Sequence, residues 1–369
     1  MKRRVKQAIS LVLAFVLIGV CCAGCAQTTN TPDAKGEVLK IGFVNNNTVD
    51  GSAWTAAHFE GCNYLKENVD GIEVVWVENV PDSGADGMAV IQQLVEDGCK
   101  MIFATSYYVE LMKESAAKYP DISFYLCQGG TDVITDNLGI YDVRNYEAVF
   151  LTGYLAGSMS KGDVLGYVAT QPMPTVLRAL NGFALGVKYA RPNAIVKTVF
   201  TNTWYDVTAE KEATNALMDA GATVIGMHTN TSAVSQTAQD RGGYCIGFTI
   251  DMKDYAPKAV LTSFLWKWGP IYQYIVEQYK AGTKHIDDVF WGMNEGCGAF
   301  TDLNTDIIPA DVKQDFEDVF AKLKAGEIQP FYGEVKDNQG NVHGTAGQPL
   351  SDEIIRSMDW LVDNVDGSY

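Results

Sequence analysis

Hydrophobic positions in this chain fall into short runs that alternate with helical spacings, and the alternation begins at Val38. Val38, Leu39, Ile41, Phe43 and Val44 form an apolar run, and the polar loop 45–52 follows. Trp54, Ala57, Gly61, Cys62 and Leu65 then recur on one face of a helix. Ser52 or Asp50 is placed to cap its start with a side-chain oxygen. Further β-branched runs predict strands at 72–77, 101–105, 122–127 and 138–143. Between them lie helical patterns at 86–98, with Met88, Ile91, Leu94 and Val95 on the apolar face, and at 109–118, stopped by Pro120.

The pattern then restarts with a helix at 146–159 that is rich in small residues (Gly153, Ala156, Gly157). Strands are expected at 164–169, 194–200, 222–228 and 244–250, with helices at 174–189 and 233–241. A further helix carries Ala209, Ala213, Ala216, Leu217 and Ala220, capped by Asp206 and stopped by Gly221. Strands alternating with helices are the signature of parallel sheets built from βαβ units. Two such series predict two doubly wound lobes joined by a hinge. The first would take 38–143 plus about 252–288, the second 144–251 plus about 289–369.

In open α/β sheets a ligand sits just beyond the carboxyl ends of the strands. The strand-end loops here carry Asn46, Asp50 and Trp54; Tyr107; Gln128; Asn202, Trp204 and Tyr205; Asn230 and Ser232; and Asp251. Aromatic faces suit a planar ring, while Asn, Gln and Asp read its edge by hydrogen bonds. Each has a plainer alternative. Trp54 could be a core residue at a helix start, and Asp251 could cap the turn before Asp254. Trp266 and Trp268, which flank Lys267, either line the pocket or hinge or pack in the core. Trp76, Trp291 and Trp360 read as packing. His58, His228, His285 and His343 are scattered without metal-ligand spacing, so neither a metal site nor a cofactor is expected.

Composition changes the picture at the amino terminus. Lys2, Arg3, Arg4 and Lys6 precede an apolar stretch too short for a comfortable membrane span, so 1–24 reads as a signal peptide. The Cys22-Ala23-Gly24-Cys25 sequence resembles a bacterial lipobox, with Cys22 where leucine is usual. Cys25 would be the lipidated first residue of the mature chain, and 25–37 a polar tether. Removing the four positive charges of the signal takes the net charge from −17 to −21. Such an acidic surface argues against nucleic acid as a partner. Cys62, Cys99, Cys127, Cys245 and Cys297 remain, odd in number and matching no disulfide or zinc framework. Cys62, Cys127 and Cys245 lie in apolar runs and read as buried free thiols.

Several of these stretches resemble the basic membrane protein (BMP) family of substrate-binding lipoproteins. They are Ile41-Gly42-Phe43 leading to Asp50-Gly51-Ser52-Ala53-Trp54, Asn202-Thr203-Trp204-Tyr205-Asp206, and Ile250-Asp251-Met252. Leu261-Thr262-Ser263, Trp266-Lys267-Trp268-Gly269-Pro270, Trp291-Gly292-Met293 and Ser357-Met358-Asp359-Trp360 add to them. The tryptophan-rich segments point to the purine-binding branch. The resemblance implies a type I periplasmic-binding fold, a nucleobase or nucleoside ligand, and an ABC permease as partner. It would place an aromatic sandwich on Trp54 and Trp204 and a ligand-binding carboxylate on Asp251. Asn230 stands where relatives usually carry Asp, and loop 45–47 is also atypical. The expected protein is a monomer that meets the membrane through its lipid anchor only.

Two other functions compete with import: a receptor feeding a sensor, and an extracytoplasmic nucleoside hydrolase. The hydrolase would need clustered carboxylates, whereas Asp50 and Asp251 stand on separate loops. No Ser-His-Asp or nucleophile-elbow pattern occurs. The signal peptide and the lack of a helix-turn-helix segment argue against a transcription factor.

Overall fold

In the computed structural model, which describes residues 38–369, the first series of apolar runs forms β1 (Leu39–Val44), β2 (Ile72–Val77), β3 (Met101–Ala104), β4 (Ser123–Cys127) and β5 (Leu138–Val143). Helices α1 (Ala53–Asn68), α2 (Gly84–Glu96) and α3 (Val109–Lys118) connect the first four strands. The second series gives α4 (Asn145–Met159), β6 (Val164–Ala169), α5 (Pro174–Ala190), β7 (Ile195–Phe200) and α6 (Val207–Asp219). It continues with β8 (Val224–Met227), α7 (Ala233–Asp240) and β9 (Tyr244–Thr249). Next come β10 (Val260–Trp266), α8 (Gly269–Lys280), β11 (Asp288–Trp291), β12 (Gly298–Phe300) and α9 (Ala310–Lys324). A hairpin of β13 (Val335–Lys336) and β14 (Val342–His343), then α10 (Asp352–Arg356) and β15 (Val365–Asp366), complete the chain. The signal-peptide, lipobox and tether expectations fall outside the described residues.

These strands form two main sheets, ordered β11-β5-β4-β3-β1-β2 and β12-β10-β9-β8-β6-β7-β15. Every pairing in them is parallel except β10 with β12. Strands buried on both faces read as continuous apolar runs, as β3, β4 and β8 do. Alternation still sorts their side chains. Ile41, Phe43, Phe103 and Tyr125 join the core that includes residues of α1 and α8. Val44, Ile102, Phe124 and Leu126 join the core that includes residues of α2 and α3.

The expected boundary at 252–288 does not match this topology. β10 pairs with β9 and is an inner strand of the second sheet, while α8 and β11 belong with the first. The chain therefore passes between the sheets three times, at 144, at 267–268 and at 292–297. The cause is the link from β9 to β10, made by turns without a helix, where helical spacing gives no signal.

Local chemistry follows the sequence closely at the helix ends. Ser52, not Asp50, caps α1 by accepting from the Thr55 N–H at 3.4 Å. Asp206 caps α6, accepting from Thr208 and Ala209 at 2.9 and 3.0 Å. The small residues of α4 let it lie against α5. A Cβ on Gly153 would run into the Phe183 carbonyl, and one on Gly186 into the Phe150 carbonyl. The five cysteines among the described residues are all buried and free.

A buried charge cluster joins the two sheets. Arg178 on α5 reaches Asp142 at the end of β5 at 2.5 Å, with both side chains 2% exposed. Its Nε also donates to Asn145 Oδ1 at 3.1 Å. Phe290 of β11 lies beneath three guanidiniums, those of Arg144, Arg178 and Arg356. Arg144 pairs with Asp352 and Arg356 with Asp288. These pairs tie β5 and β11 to α5 and α10.

Candidate functional site

Each sheet reverses its strand order beside its own first strand, β1 in one and β6 in the other. Crevices open outside the carboxyl ends of the strands at such reversals. A cleft of about 730 Å3 lies there between the two sheets, within the usual range for small-molecule sites.

From the first sheet it is lined by Asn46, Asn47 and Trp54 after β1, Ser106, Tyr107 and Tyr108 after β3, and Gln128 after β4. From the second come Met173 and Thr175 after β6, Trp204 and Tyr205 after β7, and His228 and Asn230 after β8. Phe248, Thr249 and Trp266 line the end of β9 and β10. Eight expected site residues thus meet in one cleft: Asn46, Trp54, Tyr107, Gln128, Trp204, Tyr205, Asn230 and Trp266.

Asp50, Asn202 and Asp251 do not. Asp50 lines a neighbouring hollow of about 440 Å3, which shares Gly51, Ser52, Tyr205 and Asn230 with the main cleft. Asn202 is exposed, and its carbonyl accepts from the Gln171 side chain. Asp251 is exposed, lies outside the cleft lining and accepts from the Lys253 N–H at 2.9 Å.

The tryptophans divide by chemistry. Trp54 is half-buried in the first turn of α1, and its indole N–H donates to the Thr105 carbonyl at 2.8 Å. Its ring stands edge-on to Trp266 and Trp268, with centroids 5.3 and 5.4 Å away. Trp266 and Trp268 stack on each other at 5.4 Å, and His58 stacks on Trp268 at 4.3 Å. Trp266 is therefore both core and cleft floor, while Trp268 and His58 are core. His58 bonds Tyr272 Oη at 2.5 Å, and burial holds its pKa well below the usual histidine value. Trp204 stands 41% exposed at the mouth. Trp76, Trp291 and Trp360 pack against Phe43, Tyr274 and His343 respectively.

Two lining residues hold backbone conformations that L-residues seldom adopt. Gln128 has φ 59° and Thr249 φ 71°. Thr249 is the centre of a three-residue turn in which the Ile250 N–H returns to the Phe248 carbonyl at 2.9 Å. Such strain gathers where a fold must aim a group at a ligand. Gln128 is aimed across the cleft, its amide donating to Thr175 Oγ1 at 3.0 Å.

Among the described residues, no lysine or arginine lines the cleft, and Asp82 is its one carboxylate. The arrangement suits a neutral, flat ligand held by ring faces and edge hydrogen bonds, and offers no counter-charge to a phosphate. Sequence reasoning missed Met173, Thr175, His228, Phe248 and Thr249. A signal for the first two was present: the loop after β6 is the counterpart of the loop after β1, because each follows the first strand of its series.

Residues 38–329 match the family model for ABC transporter substrate-binding proteins of the PnrA-like type (Bmp). The chain belongs to this family. A purine-binding protein of Brucella abortus (strain 2308) is 34% identical over 338 residues, covering 89% of this chain and 93% of its own length. A Haloferax volcanii protein, provisionally named as an ABC transporter glucose-binding protein, is 28% identical over 90% of this chain and 82% of its own. Among solved structures, an ABC transporter solute-binding protein from Conexibacter woesei superposes with a TM-score of 0.65 at 22% identity. The match covers 79% of this chain and 98% of that one. The fold is thus the α/β periplasmic-binding architecture, and the Bmp family works outside the cytoplasm, binding small molecules for an ABC permease. No helix among the described residues is long and apolar enough to cross a membrane.

Proposed function

We propose that this Bmp-family protein captures a purine nucleobase or nucleoside between its two lobes and delivers it to an ABC importer. One observation carries the reading. Trp54 from the first lobe and Trp204 from the second line the same cleft, so closure would bring an indole to each face of a flat ring. The absence of basic residues from the lining and the purine-binding relative support it further. The protein is a monomer tethered through a lipid on Cys25.

A thermal-shift screen tests the ligand class. Adenine, guanine, hypoxanthine and their nucleosides stabilise the folded protein, whereas ribose, glucose and amino acids leave it unchanged. Ligand at about a hundred times its dissociation constant adds about 2.7 kcal/mol, a visible rise in melting temperature. A shift with glucose or ribose and none with any purine turns the reading to a sugar receptor.

The anchor has its own test. Cys25→Ser releases the protein from the membrane fraction and leaves ligand affinity unchanged, since one diacylglyceryl group supplies the two chains that stable anchoring takes. Retention of the variant on membranes contradicts a lipid at Cys25.

A further inference from the structure

The buried part of the wall supplied by the second sheet consists of Thr175, His228, Phe248, Thr249 and Trp266. His228 follows the end of β8, beside the strand reversal of its sheet, and is only 7% exposed. Phe248 lies against its ring, with centroids 4.1 Å apart and planes at 33°. Of the two ring nitrogens, only Nδ1 is sealed away without a hydrogen-bond partner among the described residues. The ring nevertheless lines the cleft. Several neighbouring polar groups are already engaged, although the Trp266 indole N–H is also without a partner among the described residues. The Gln128 amide and Arg178 both donate to Thr175 Oγ1, and the Trp54 indole N–H is held by Thr105.

We propose that His228 reads the hydrogen-bonding edge of the ligand, and that its unfixed tautomer lets one site accept both 6-amino and 6-oxo purines. This rests on the purine reading above. The tautomer of a neutral imidazole is normally set by whatever its second nitrogen bonds. No described residue sets it at His228. Burial, helped by the positive charge of Arg178, pushes its pKa down to about 3, so the ring stays neutral at ordinary pH and keeps one donor and one acceptor.

A 6-amino purine presents a donor beside an acceptor ring nitrogen. A 6-oxo purine inverts both, presenting an acceptor beside a ring N–H. A fixed donor or a fixed acceptor satisfies one of these edges and leaves the other unpaired. An imidazole free to move its proton from one nitrogen to the other satisfies either. The sugar-bearing end of a nucleoside has room toward the open mouth, where Trp204 and Tyr205 are 41% and 65% exposed. The six-membered ring then enters first, toward His228.

Isothermal titration of wild type, His228→Phe and His228→Gln with adenine and with hypoxanthine tests this. Wild type binds the two bases with affinities within about tenfold of each other. The Phe variant keeps a ring against Phe248 and loses about tenfold or more for both. The Gln variant, whose amide can turn to present either a donor or an acceptor, recovers most of that loss. Nitrogen-15 NMR of wild type finds the His228 proton on different nitrogens in the two complexes. The same tautomer with both bases overturns the proposal, and so does unchanged affinity in a folded Phe variant. Failure of wild type to bind any purine removes the purine reading itself, a result separate from a wild type that binds and variants that do not differ.

Discussion

Replacing Arg178 by methionine removes about 3–5 kcal/mol of folding stability, the cost of breaking one half of a buried ion pair. Arg178 and Asp142 are each 2% exposed and 2.5 Å apart, so the remaining carboxylate has no water to turn to. The guanidinium also serves Asn145 Oδ1 and Thr175 Oγ1, and methionine replaces neither bond. Urea unfolding of the single variant and of Asp142→Leu/Arg178→Met measures the effect. The double variant recovers part of the loss, because two apolar side chains no longer leave a stranded charge. It stops short of wild type, since the Val143 N–H loses its bond to the Asp142 carboxylate. A single variant within about 0.5 kcal/mol of wild type contradicts a structural role for the pair, because surface substitutions show effects of that size.

The pair also explains why this part of the molecule was hard to read from sequence. Asp142 and Arg178 lie far apart in the chain on a strand and a helix of different lobes, and no spacing rule connects them. Strands and helices of the two series were legible because parallel strands buried on both faces need unbroken apolar runs. Their order became legible only in part. β10 looked like a segment completing the first lobe, but it is buried along nearly its whole length inside the second sheet, where Thr262 and Ser263 bond to Thr301. Trp54 and Trp204 were readable as cleft residues because they stand just past strand ends. Asp251 stood in the same kind of place, but it does not line the cleft and one of its carboxylate oxygens accepts from the Lys253 N–H. A side chain near a strand end is therefore a candidate until its own turn is checked for donors. His228 went unread because a lone histidine has no spacing partner. Its meaning lies in an unpaired nitrogen that only three dimensions reveal.

The two tryptophans that line the cleft differ in what else they do, and this separates stacking from packing. Trp204→Ala changes ligand-free stability by no more than about 0.5 kcal/mol, the usual range for an exposed side chain. Its ring is 41% exposed and contributes little to the core. If it covers one face of the base, the same substitution weakens binding by about 1–3 kcal/mol. That is roughly tenfold to hundredfold in affinity. Trp54→Ala weakens binding by a similar amount and also costs about 2–3 kcal/mol of stability, below the ~3–5 kcal/mol of a fully buried aromatic. That ring packs edge-on to Trp266 and Trp268, and its indole N–H satisfies the Thr105 carbonyl. Trp54→Phe retains a face for the ligand while losing that hydrogen bond, so it restores affinity more fully than stability. Urea unfolding without ligand and calorimetric titration with the best-bound purine, on the same three variants, distinguish these effects. Wild-type affinity in Trp204→Ala would show that the second face of the ligand is covered by some other group, and the two-indole arrangement would then fall.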